Sequence, residues 1–132
     1  MGKPIIDITI TTLDGKSGQV KAIFDTGSFY TIIRENKVPA GASIVREGAL
    51  QQFRTAGSGG KLQINGVLPI AKITIGDKKV EDSILVSPDL VSDMLLGAKT
   101  MQAWDISIQN KKGKTSISVG HDMRDPEITE VD

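Results

Sequence analysis

The chain has 132 residues, 39% hydrophobic and 24% charged, with 16 basic residues balancing 16 acidic ones. That is the length and composition of one folded domain, not of two domains or a disordered segment. The lack of cysteine excludes disulfides and thiolate catalysis, and the single histidine, His121, excludes a two-histidine metal site within one chain and disfavours Ser/His/Asp catalysis.

Ile6, Ile8 and Ile10 alternate with Asp7, Thr9 and Thr11, which predicts a half-buried strand. Leu13-Asp14-Gly15-Lys16 supplies a turn, because Asp-Gly tolerates positive φ. A second strand runs from Gly18 to Asp25 and ends in the apolar pair Ile23-Phe24, and a short third strand covers Tyr30–Ile33. Residues 34–48 read as loop, punctuated by Pro39, Gly41 and Gly48. Leu50–Thr55 and Lys61–Asn65 form a hairpin around the glycine-rich tip Ala56-Gly57-Ser58-Gly59-Gly60. Val67–Ile75 and Val80–Val86 are further strands.

The apolar run Met94-Leu95-Leu96 precedes the one helical segment, 97–104, whose Met101 and Trp104 share a buried face. Ile106 and Ile108, then Ile117 and Val119, mark a final hairpin around Lys111-Lys112-Gly113-Lys114. The prediction is an all-β domain with one short helix over residues 1–120, followed by a flexible acidic tail, 121–132.

The tail holds five acids against Arg124, a net −4, which leaves the preceding residues at +4. Those bases are scattered and aromatics are few, so nucleic acid is not an expected partner. No run of 18 apolar residues exists, so no membrane span is expected. Met1-Gly2-Lys3-Pro4 leads into a strand and not a signal-peptide core, which with the missing cysteines predicts a cytoplasmic location. Gly15-Lys16-Ser17 resembles the end of a phosphate-binding loop, but Ile10 stands where that loop needs glycine.

The chemistry concentrates in Ala22-Ile23-Phe24-Asp25-Thr26-Gly27-Ser28. An acid leaves the end of an apolar strand with a hydroxyl residue on either side of a glycine. A carboxylate held by hydroxyls and backbone N–H groups suits general-base work. The plain structural reading is an Asx turn, in which the aspartate only caps its own turn.

This run resembles the catalytic signature of aspartic proteases, and Met94-Leu95-Leu96-Gly97 resembles their second signature. With one signature aspartate in a chain the size of one lobe, the likeness is to the retroviral-type (retropepsin-like) branch, on its cellular or prokaryotic side. It covers about residues 5–119. The resemblance implies a closed β barrel that forms a homodimer, each subunit supplying one Asp25, and no metal or cofactor. It implies cleavage of extended peptides by water. Two adjacent carboxylates share one proton, so one acts as base and the other as acid. Thr26 would brace the two loops, Gly27 would admit substrate backbone, and Ser28 would bond the outer oxygen of Asp25 and lower its pKa. Residues 56–60 would form a flap over the substrate. Leu95, Leu96 and Gly97 would lie beneath the catalytic loop, with Ile32, Ile70 and Ile84 as candidate pocket residues.

Viral members pair an acid after the first signature with an arginine after the second glycine. Here Phe29, Tyr30, Ala98 and Lys99 occupy those places, so that pair is missing. A second hypothesis follows from this gap: a peptide-binding or assembly module with the same fold and no proteolysis.

Overall fold

The computed structural model describes residues 3–46, 51–54 and 61–124. Strands β1 (Ile5–Thr12) and β2 (Ser17–Phe24) form the first hairpin, followed by β3 (Ile32–Arg34) and a single 3-10 turn at Glu35–Lys37. Next come β4 (Gln51–Arg54), β5 (Lys61–Ile64), β6 (Gly66–Ile75), β7 (Lys78–Ser87) and β8 (Met94–Leu96). The helix α1 (Ala98–Ala103) and the hairpin β9 (Ile106–Lys111) and β10 (Lys114–Val119) complete the described chain.

Six strands close into a barrel in the order β1-β2-β8-β3-β7-β6, so the fold is mostly β with one short helix, as expected. The period-two pattern is the reason. In β1, Ile8, Ile10 and Thr12 are buried; in β2, Val20, Ala22 and Phe24 are buried. Their alternates face outward, as the pleat requires. Ile73, Val80, Ile84, Val86, Met94 and Leu96 complete the same interior. Removing a ring such as Phe24, which is fully buried, costs about 3–5 kcal/mol. Ile84 lies in this interior, at 0% exposure, and so is not available as a pocket wall.

A smaller apolar cluster sits apart from the barrel interior: Ile32, Leu62, Ile64 and Leu90, with Leu85 and Leu95 against it. β6 and β7 shift register between Leu68 and Ala71. Pro69 lies in that irregularity, where its missing N–H interrupts no ladder, and Ile70 there is 48% exposed.

Three differences from the sequence reading have local causes. The third strand begins at Ile32, not Tyr30, because Tyr30 still belongs to the loop and spends its carbonyl on the Ser28 hydroxyl. Met94–Leu96 is a strand; three residues are too few to show a period. Residues 121–124 dock on the barrel and do not hang free. Asp122 is 1% exposed. Its Oδ2 accepts from the Lys79 amide at 2.9 Å, and the Met123 amide donates to the Lys79 carbonyl at 2.7 Å. The His121 ring, at the start of the tail expected to be flexible, has its centre 5.4 Å from that of Trp104. The remaining tail, 125–132, falls outside the described residues.

Candidate active site

Asp25 stands one residue beyond β2. Parallel pairing of β2 with β8 sets Phe24 beside Leu96, and the ladder continues one step, since the Asp25 amide donates to the Leu96 carbonyl at 3.0 Å. The chain then turns at once: the Ser28 amide donates to the Asp25 carbonyl at 3.1 Å. The first and second signatures are therefore in direct contact, as the resemblance implies.

Gly97 shows why the second signature ends in glycine. A Cβ placed there would lie 2.4 Å from the Tyr30 carbonyl oxygen and 2.7 Å from that of Phe29. No side chain fits, and the backbones close on each other. The Ala98 amide donates to the Ser28 carbonyl at 2.7 Å, and the Lys99 amide to that of Phe29 at 2.9 Å. The N–H groups at the start of α1, which have no acceptor within the helix, thus hold the far side of the Asp25 loop.

The two oxygens of Asp25 have different partners. Oδ1 accepts from the Gly27 amide at 2.8 Å, and a Cβ on Gly27 would crowd it at 3.1 Å. Oδ2 meets the Lys3 ammonium at 2.8 Å, with the aspartate side chain 14% exposed and the lysine 61%. Burial raises the Asp25 carboxyl, but the Lys3 hydrogen bond, the Gly27 amide and the Lys3 charge together outweigh it and hold the group below the usual carboxylate range.

Lys3 was not singled out by its residue type, yet the hairpin placed it. Ile5 faces Ile23, and the Phe24 amide donates to the Pro4 carbonyl at 3.0 Å. One step further along this register Lys3 lies opposite Asp25.

The Ser28 expectation needs correction. Its hydroxyl donates to the Tyr30 carbonyl at 2.9 Å and not to Asp25; within one chain both carboxylate oxygens already have donors. Thr26 and Gly27 are exposed at the loop tip. Phe29 and Tyr30 are 54% and 41% exposed, with rings edge-on at 5.1 Å. An apolar pair therefore stands where viral members carry an acid. Leu96 is fully buried beneath the loop, while Leu95 faces the smaller cluster with Ile32. Ala56, Gly57, Ser58, Gly59 and Gly60, expected to form a flap, lie outside the described residues; β4 and β5 on either side of them pair antiparallel.

A closed barrel with an Asp-Thr-Gly-Ser loop hung from a Leu-Leu-Gly strand end defines a retropepsin-like lobe. Residues 2–109 match the retroviral aspartyl protease family, and the chain belongs to it. Among solved structures it is similar to the retroviral protease-like domain of Ddi1 from Leishmania major, with a TM-score of 0.61 and 17% identity over 89% of each chain. It is also similar to EIAV protease complexed with the inhibitor HBY-793, with a TM-score of 0.54 and 14% identity over 76% of this chain and 86% of that one. At such identities these likenesses speak for the fold. A comparison with curated protein sequences finds no significant match. No helix among the described residues is long and apolar enough to cross a membrane.

Proposed function

We propose that this chain is an aspartic endopeptidase that hydrolyses extended peptide segments as a homodimer, each subunit contributing Asp25. One observation carries the reading: Asp25 is fastened through its backbone while its carboxylate keeps Oδ2 for a partner that can leave. Among the described residues, the charge on that oxygen is a largely exposed lysine. In a dimer, the second Asp25 takes that place. The two carboxylates then share one proton, and a water between them is deprotonated as the scissile carbonyl is protonated. The pair titrates as a unit. No metal or cofactor enters this chemistry.

Phe29 and Tyr30 give the substrate edge an apolar rim, and Ile32 is a candidate wall through the smaller cluster. Residues 56–60 act as the flap in this reading, closing on the peptide backbone. Thr26 braces the paired loops.

The Lys3–Asp25 pair also favours the second reading, a peptide-binding module, since a single chain with an ammonium on its aspartate lacks a protonated acid. One experiment separates the two. A diverse peptide pool is incubated with wild type and with Asp25→Asn from pH 3 to 8, with sedimentation run in parallel. Cleavage that vanishes in the variant, from a dimeric wild type, supports the peptidase. Peptide binding by both, without cleavage by either, supports the module. Cleavage by a strict monomer overturns the shared-proton mechanism.

A further inference from the structure

Four hydrogen bonds connect the backbone of Asp25 to a carboxylate on another strand. The Asp25 amide donates to the Leu96 carbonyl at 3.0 Å. That carbonyl and the Gly97 N–H belong to one peptide group. The Gly97 N–H donates to the Thr31 hydroxyl at 3.0 Å. Thr31 and Thr100 share a hydroxyl contact of 2.6 Å, and the Thr100 hydroxyl lies 2.7 Å from Asp82 Oδ2. Thr31 and Thr100 are 3% and 0% exposed, so no bulk water competes for these bonds.

Chemistry fixes the direction. A carboxylate only accepts, so Thr100 gives its one proton to Asp82. Thr31 must then donate to Thr100, which leaves its oxygen to accept from Gly97. Every donor in the chain points away from Asp25 and toward Asp82. Bonds aligned head to tail polarise and strengthen one another. The other oxygen of Asp82 is itself fixed, by the Ser83 amide at 2.8 Å and the Lys99 ammonium at 3.5 Å. Lys99 follows the second signature, where the acid–arginine pair of viral members is missing.

We propose that Asp82 is the anchor of the catalytic loop, a positioning residue that holds the Asp25 backbone through Thr100, Thr31 and the Leu96–Gly97 peptide. The Lys99–Asp82 pair, between α1 and β7, replaces the missing pair. The inference rests on the reading of Asp25 as the catalytic aspartate, but its test does not require cleavage.

Thr100→Val removes the middle hydroxyl and keeps the side-chain shape; Thr100→Ser restores it. Amide hydrogen exchange is followed by NMR in both variants and in wild type. The Asp25 and Gly97 amides exchange about tenfold faster in Thr100→Val, while those of Ile73 and Val80 in the barrel keep their wild-type rates. Thr100→Ser returns both to wild type. Asp82→Asn keeps an acceptor and loses the charge, and it accelerates the same two amides about threefold; this variant decides alone if Thr100→Val does not fold. In cleavage assays Thr100→Val lowers kcat about tenfold with KM within about twofold. Unchanged exchange at Asp25, equal acceleration at Ile73 and Val80, or no recovery in Thr100→Ser overturns the proposal. A protein that cleaves nothing still yields the exchange result, so the anchor and the peptidase fail separately.

Discussion

Asp14 and Asp25 each stand in a turn near a glycine, and the two turns use the aspartate in opposite ways. Asp14, in the turn between β1 and β2, spends both oxygens on the protein's own frame. Oδ1 accepts from the Thr12 hydroxyl at 2.5 Å and Oδ2 from the Ser43 amide at 3.2 Å. The Thr12 bond is the main reason its pKa lies below the usual range. Asp25 caps its own turn with one oxygen only, through Gly27. Its backbone is tied to Leu96, while its second oxygen rests on Lys3. A structural aspartate binds its surroundings with its side chain. An aspartate available for chemistry is held by its main chain and keeps part of its carboxylate exchangeable. The Asx reading of the signature was thus half right, for Oδ1 alone.

The largest effect tests that contrast directly. Asp25→Asn lowers peptide cleavage by roughly 10²–10⁴-fold, with an unchanged circular dichroism spectrum, whereas Asp14→Asn leaves the rate within about twofold of wild type. Equal losses in the two variants would remove the distinction.

Next in size is Gly97→Ala. Its Cβ meets the Tyr30 and Phe29 carbonyl oxygens at under 3 Å, and overpacking of this kind costs about 1–3 kcal/mol. The melting temperature falls by roughly 3–15 °C, and cleavage falls with it. Gly15→Ala is the control, because nothing lies within 4 Å of a Cβ there, although its φ of +83° carries its own strain.

Lys3→Ala acts on Asp25 alone. Without the ammonium the Asp25 carboxyl titrates at higher pH, as carbon-detected NMR would record, and Asp14 does not move. The sign for stability follows. A depressed folded pKa contributes stability that is complete above the ordinary value of about 3.9 and is lost as pH falls through the folded value. The variant therefore loses stability near neutrality, by less than about 1 kcal/mol because Lys3 is 61% exposed. It loses almost none at the acid end. An Asp25 titration identical to wild type would mean that the ion pair does not persist in solution.

The smallest effect on the Asp25 carboxyl itself belongs to Ser28→Ala. Its hydroxyl bonds the Tyr30 carbonyl, so its loss costs about 0.5–1.5 kcal/mol and leaves the Asp25 titration of the single chain in place. A clear shift would return Ser28 to the carboxylate, as the family likeness first suggested.

Much of this was readable before any coordinates. The isoleucine alternation gave β1, the Asp-Gly turn gave the hairpin, and Met101 and Trp104 gave the buried face of α1; both are buried. These features are local, and periodicity reports local burial well. What remained hidden depends on contacts between distant segments. Asp122 looked like one more acid in a polar tail, because its partner at Lys79 lies 43 residues away. Thr31 and Thr100 are ordinary β-branched residues until the fold brings their hydroxyls together across 69 positions. Lys3 is the instructive exception. Its place follows from the local hairpin register, in which Thr11 faces Ser17; counted from a two-residue Asp14-Gly15 loop it would fall one position off, opposite Thr26.

The parallel pairing of β2 with β8 bears on how the molecule is born. Ala22 and Met94 are partners across most of the chain. A ribosome that has reached residue 90 has made the aspartate but not the Leu96 carbonyl that receives its amide, nor the helix amides that hold Ser28 and Phe29. Long-range parallel contacts of this kind form slowly. The nascent chain therefore carries an unformed Asp25 loop until residues 94–99 emerge, and the barrel's closure and the loop's ordering become a single event.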